Sequence, residues 1–127
     1  MRGIAFYFLC AAIIAVLVGM AWGIQMSAAG DHKLSGAHAH LNLVGWVTLS
    51  IFAFYYHLVP EAQAGWLPKL HLACALGGVV LLVPGIVMAI QGQDMTLAKI
   101  GSTLTLASMV LFLIVVLRQG MQRPVAV

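Results

Sequence analysis

Four apolar stretches, over residues 4–26, 35–59, 70–90 and 100–117, make up most of the chain. A helix needs about 20 mostly apolar residues to cross the hydrocarbon core of a bilayer, and each stretch is close to that length. No water reaches that core, so every backbone N–H and C=O must be satisfied within the chain, and a spanning stretch becomes a helix. The second stretch carries no formal charge apart from any on its histidines. The links between stretches, residues 30–33, 60–69 and 91–99, are short and hold the turn residues and most of the charges. Of 127 residues, 7% are charged and 63% hydrophobic, whereas a soluble domain carries about 25% charged residues. This excludes a soluble enzyme, a disordered chain and a secreted disulfide scaffold. The pattern predicts an all-α membrane protein, one domain over residues 1–127 with four transmembrane helices.

Arg2 ahead of an apolar run, with Ser27-Ala28-Ala29 behind it, has the outline of a signal peptide. A signal core is about 7–15 residues, shorter than this run, so the segment reads as a retained span. The net charge of +3 comes from Arg2, Lys33, Lys69, Lys99, Arg118 and Arg123 against three acids. These cations are scattered, so no nucleic-acid-binding stripe exists. Arg2, Lys69, Arg118 and Arg123 fall on one side of the predicted membrane, and Lys33 and Lys99 on the other. The positive-inside rule makes the four-cation side cytoplasmic, with both termini inside. The expected location is a bacterial-type cytoplasmic (inner) membrane. Cys10 and Cys74 lie in apolar runs and read as small packing residues; a disulfide would require them to meet in space.

Gly19 and Gly23 form a Gly-x-x-x-Gly in the first span. Gly77 and Gly78 lie within the third, where Pro84 is expected to introduce a kink. Gly101, Ser102, Thr105 and Ser108 give the fourth a small, weakly polar stripe. Small residues let helices approach closely in lipid, and packing within one chain accounts for all of them.

Ionisable groups inside a span are costly and mark function by default. Of the five histidines, His32 lies in an outer link and reads as solvated. His57 and His71 fall near the inner ends of the second and third spans. There they read as ordinary interfacial residues, with pairing or metal binding as the alternative. His38 and His40 lie just inside the outer end of the second span. At about 100° per residue they point about 200° apart, so they cannot grip one metal ion together. They imply two sites, one on each side of the helix. Imidazole is a good axial ligand for haem iron, and haem can stand between helices. No second histidine lies at this depth in another span, so a two-histidine haem requires a second chain. A head-to-tail ring would place His38 of one copy opposite His40 of the next, with one haem at each interface. The directions of the pair do not fix the number of copies.

At this point the sequence resembles the catalytic subunit of haem–copper oxidases and nitric oxide reductases. In that family twelve helices form three arcs of four. Ala37-His38-Ala39-His40 is similar to the family's tenth helix, where a His-x-His pair ligates two neighbouring haems, and His38 matches the haem-binding histidine of its second helix. Leu67-Pro68-Lys69-Leu70-His71-Leu72 onward to Pro84 resembles the eleventh helix. Ile100-Gly101-Ser102 onward to Phe112 resembles the twelfth. The likeness covers the second to fourth spans and implies one arc standing alone, assembled as a homotrimer with up to three equivalent haems. Each haem would be held by one residue matching His38 and one matching His40. The family's copper centre needs three further histidines, and Tyr55-Tyr56-His57 does not match its arrangement. No copper is therefore expected, and oxygen or nitric oxide reduction is disfavoured.

The resulting expectation is a membrane protein that binds non-covalent haem b, there being no Cys-x-x-Cys-His, and transfers electrons or senses redox state. Its redox partner is not encoded in any motif. Lys33 and Lys99 are candidate partners of the haem propionates. Asn42 shares the face of His38, and Gly36 and Gly45 would let a flat porphyrin approach. A methionine ligand is less favoured than a second histidine. Two alternatives stand beside this one. The first is a non-enzymatic metal- or haem-handling or assembly protein using His32, His38 and His40. The second is an accessory subunit of a respiratory complex.

Overall fold

The computed structural model describes residues 1–122. Four helices run through them: α1 (Gly3–Ala29), α2 (Ser35–Leu58), α3 (Leu67–Ile90) and α4 (Thr96–Gln122). All four are long and apolar enough to cross a membrane, the architecture of an integral membrane protein, and no strand occurs among the described residues.

Three of the helices, α1, α3 and α4, run past their apolar stretches, whereas α2 ends at Leu58. α1 continues to Ala29 and stops at Gly30, which takes a left-handed φ of 62° and returns its N–H to the Ser27 carbonyl, a common helix ending that glycine adopts without strain. α3 starts at Leu67, with Pro68 in the first turn, where its missing N–H costs nothing. α4 starts at Thr96, whose backbone N–H and hydroxyl both donate to Asp94 Oδ1, at 3.2 and 2.9 Å. α3 runs through Pro84 as one helix.

α2 changes pitch along its length. Ser35–His40 is α-helical, Leu41–Thr48 is a π-helix, and Leu49–Leu58 returns to α. In the wide segment the Thr48 hydroxyl donates to the carbonyl of Leu43, five residues back, at 2.8 Å. Such segments are rare, and they favour functional sites.

A 3₁₀ turn, Pro60–Gln63, follows α2. Gln63 Oε1 accepts the N–H of Ile4 at 2.9 Å and that of Ala5 at 3.5 Å, while its Nε2 donates to the Tyr56 carbonyl at 2.9 Å. One side chain thus caps the start of α1 and joins it to the end of α2, satisfying N–H groups that have no partner inside their own helix. Arg118 lines a hollow with Glu61 and Trp66 at this same end. Arg2, Lys69 and Arg118 therefore gather at one end, and Lys33, in the first link, and Lys99, in the first turn of α4, at the other. Arg123 lies outside the described residues.

The glycine-bearing stripes are seams within the chain. A side chain at Gly101 would run into the backbone of Leu82, and one at Gly85 into the backbone of Ala98. A Cβ at Gly78 would lie 2.7 Å from Thr105 Oγ1. α3 and α4 thus touch backbone to backbone. Cys10 and Cys74 are free thiols.

The core is densest near the capped end. Phe8, Phe52, Tyr56 and His71 are almost fully enclosed there, with Phe112 of α4 closing the side (ring centroids 4.6 Å from Phe52 and 5.5 Å from His71). The interfacial position expected of His71 gives way to complete burial, at 0% exposure. Its place on the buried stripe of α3 and the rings of Phe8, Phe52, Tyr56 and Phe112 packed around it account for the change. His57 is exposed and does not pair with it.

Candidate functional site

His38 and His40 occupy the short α-helical start of α2, before the wide segment. Their side chains leave the helix on different sides, as the 200° offset requires.

His38 turns toward α1. Its Nε2 lies 3.0 Å from the Gly19 carbonyl, and its ring meets Trp22 edge to face at 6.0 Å. A carbonyl only accepts, so Nε2 carries the proton in this contact. Asn42, one turn on, donates from Nδ2 to the His38 carbonyl at 2.9 Å and stands 3.3 Å from His38 Nε2. The two glycines of α1 make the space. A Cβ at Gly23 would lie 3.1 Å from His38 Nε2, and one at Gly19 would lie 2.6 Å from Asn42 Oδ1. The Gly-x-x-x-Gly is thus a shelf for this His–Asn pair. Beside it, Met20, Gly23, Ile24, Ser27 and Ala28 line an open groove of about 570 Å³ on the outside of α1.

His40 turns the other way and is exposed. Its Nδ1 donates to the Gly36 carbonyl at 2.7 Å. In the neutral ring the proton therefore sits on Nδ1, and Nε2 keeps the lone pair. A backbone carbonyl behind Nδ1 is the usual way a ligating histidine has its tautomer and ring orientation fixed. The ring borders an open groove of about 380 Å³, walled by Val44, Leu82, Thr105 and Met109 among others. Ser102 also lines that groove. Lys99 precedes Ser102 by three residues and so shares its face of α4.

The other expected residues separate. Gly36 serves through its carbonyl, and a Cβ there would make only ordinary contact with Ile90 at 3.8 Å. Gly45 keeps to the α1 side of α2 but is covered, a Cβ there lying 2.9 Å from that of Ala15. Its bareness serves helix packing. Lys33 lies in the link, its N–H held by Asp31 Oδ1 at 3.0 Å. His32 is exposed in the same link. Among the described residues no three of His, Cys, Asp and Glu gather as a metal cluster.

One pair escaped the sequence reading. The Tyr56 hydroxyl and His71 Nδ1 are 2.9 Å apart, fully buried between α2 and α3. His71 Nε2 has no hydrogen-bond partner. The signal was present in the spacing: Leu67, His71, Ala75 and Gly78 form the buried stripe of α3, so His71 had to point inward.

These residues can be tested against a haem. His40 meets the requirement as it stands, with Nε2 free, outward and oriented from behind. His38 does not meet it as placed, because its Nε2 is turned to the Gly19 carbonyl of α1 and must leave that contact before it can bind iron. His40 borders an open groove, and Gly23, against which His38 packs, lines another on α1. Comparison with protein-family models, curated proteins and solved structures finds no match to this chain.

Proposed function

We propose that the chain is a membrane-bound electron carrier or redox sensor that holds haem b at the contacts of a homo-oligomer. In this assembly, a trimer resembling the three-arc plan of haem–copper oxidases, His40 of one copy and His38 of the next would hold the haem iron. His40 carries the proposal, because a histidine in a spanning helix with Nδ1 bonded to a backbone carbonyl and Nε2 turned outward is built to ligate. A haem between two imidazoles supplies reversible one-electron exchange at iron.

The chain's own residues do the rest. Gly36 fixes the His40 ring, while the bare glycines of α1 leave the His38 ring room to turn from the Gly19 carbonyl toward the iron. The His40 groove of one copy and the α1 groove of its neighbour exclude water on either side. Lys99, on the face of Ser102, offers a cation to propionates at the polar surface, and Lys33 offers a second from the link. By the positive-inside rule the end bearing Arg2, Lys69 and Arg118 faces the cytoplasm of a bacterial-type inner membrane.

The exposed lone pair of His40 also favours a second reading, a protein that receives and hands on haem or a metal.

An absorption spectrum of the detergent-purified protein, oxidised and then reduced with dithionite, tests the proposal. One haem b per chain, with reduced bands unmoved by carbon monoxide, is expected. His38→Ala and His40→Ala should each lower haem content to near zero. Full retention in either variant overturns the shared site. Metal without porphyrin in the purified protein favours the second reading.

A further inference from the structure

At the end of the bundle opposite His38 and His40, a hollow of about 270 Å³ lies between the link that follows α2, the first turn of α3 and the last turns of α4. That is several times the ~30 Å³ share of one water molecule, enough for a small polar group. Glu61 and Arg118 line it on different elements, with Trp66, Pro68 and Gln119 completing the wall. Glu61 and Arg118 both line this one hollow, and no ion pair joins them. Trp66 is 69% exposed.

The level of the hollow is set by helix length. The 24 residues of α3 rise about 36 Å, against a hydrocarbon core of about 30 Å, so its ends reach the headgroup layer. Tryptophan favours that layer. A carboxylate and a guanidinium there, facing one space without closing on each other, match a group that carries both charges. Arg118 suits a phosphate, which its planar fork can grip with two bonds. Glu61 suits a primary ammonium, and the Trp66 face adds attraction for the same cation.

We infer that the hollow bounded by Glu61, Trp66 and Arg118 binds a zwitterionic phosphate–ammonium group, the headgroup of a phosphatidylethanolamine lipid. It requires no haem and no second copy. The lipid docks at the surface of each chain, its phosphate on Arg118 and its ammonium on Glu61.

Native mass spectrometry of the full chain, stripped of lipid in mild detergent, tests this. Phosphatidylethanolamine and phosphatidylglycerol with matched acyl chains are offered in equal amounts. The wild type should retain phosphatidylethanolamine about fivefold better, the worth of one modest ion pair. Glu61→Gln should bring the two lipids to parity, and Arg118→Gln should weaken both. Far-UV circular dichroism checks that each variant keeps its helices. Displacement of the bound lipid by soluble phosphoethanolamine supports recognition of the headgroup. Binding of the soluble compound without retention of the lipid overturns the lipid as occupant and points to a phosphate–ammonium solute instead. Equal retention of the two lipids by the wild type, or a preference that survives Glu61→Gln, overturns the inference.

Discussion

His40 Nδ1 lies 2.7 Å from the carbonyl of Gly36, one turn back on the same helix. That contact sets which nitrogen of the ring is free, and it uses a backbone atom that no substitution removes. Gly36→Ala should therefore be harmless. Its Cβ meets only Ile90, at ordinary contact distance, and alanine is the better helix former by up to about 1 kcal/mol. Haem content and resistance to unfolding by sodium dodecyl sulfate should match or exceed those of the wild type.

Gly101→Ala should behave in the opposite way. The added methyl meets the backbone of Leu82 rather than a side chain that can turn aside. α3 and α4 must then separate, at a cost of about 1–3 kcal/mol typical of overpacking. The same unfolding assay reads the loss.

Gly23→Leu should remove haem while leaving the fold in place. Even a bare Cβ there would stand 3.1 Å from His38 Nε2, and a longer side chain displaces the ring from its shelf. His40 lies on the other side of α2 and keeps its contact with Gly36. Haem quantified per chain, alongside circular dichroism, separates the loss of the site from the loss of structure.

Tyr56→Phe leaves His71 with neither ring nitrogen paired in a sealed pocket. Stranding a buried polar group costs about 1–3 kcal/mol, whereas removing both partners together costs less. The double variant Tyr56→Phe/His71→Leu should therefore be less destabilised than the sum of the single variants. A double-mutant cycle in the unfolding assay measures the difference.

Deleting one residue from the wide segment of α2, Val47 for instance, should turn the histidine-bearing start by about 100° relative to the rest of the helix. The Tyr56–His71 contact lies beyond the deletion and should persist. Haem loss with only modest loss of stability is the expected pair of results.

The four spans were legible because the bilayer forces one answer on a long apolar run. Their ends were less so: Thr96 and Leu67 begin helices outside the hydrocarbon, where hydropathy says little and capping by Asp94 or a first-turn proline decides. The divergence of His38 and His40 followed from helix geometry alone, since both precede the change of pitch. The change itself, from Leu41 to Thr48, had no signal in composition. Gly45 illustrates the limit of spacing arguments: it lies on the α1 side of α2, but only the fold shows that Ala15 already covers it. The enclosure of His71 was missed because its depth along the span was weighed and its place on the buried stripe of α3, with Leu67, Ala75 and Gly78, was not.

The close seam between α3 and α4 bears on how the protein is made. Two helices that meet at Gly85 and Gly101, joined by a link only a few residues long, suit entry into the bilayer as a single hairpin. α2 is in a different position, because Asn42 and His38 face lipid until α1 shields them. A chain synthesised from its amino end delivers α1 first, so the shield is in place before the polar residues leave the translocation channel. Moving α1 to the carboxyl end would keep every contact of the finished bundle yet expose the histidines to lipid throughout synthesis, and membrane integration rather than final stability is where the defect would be seen.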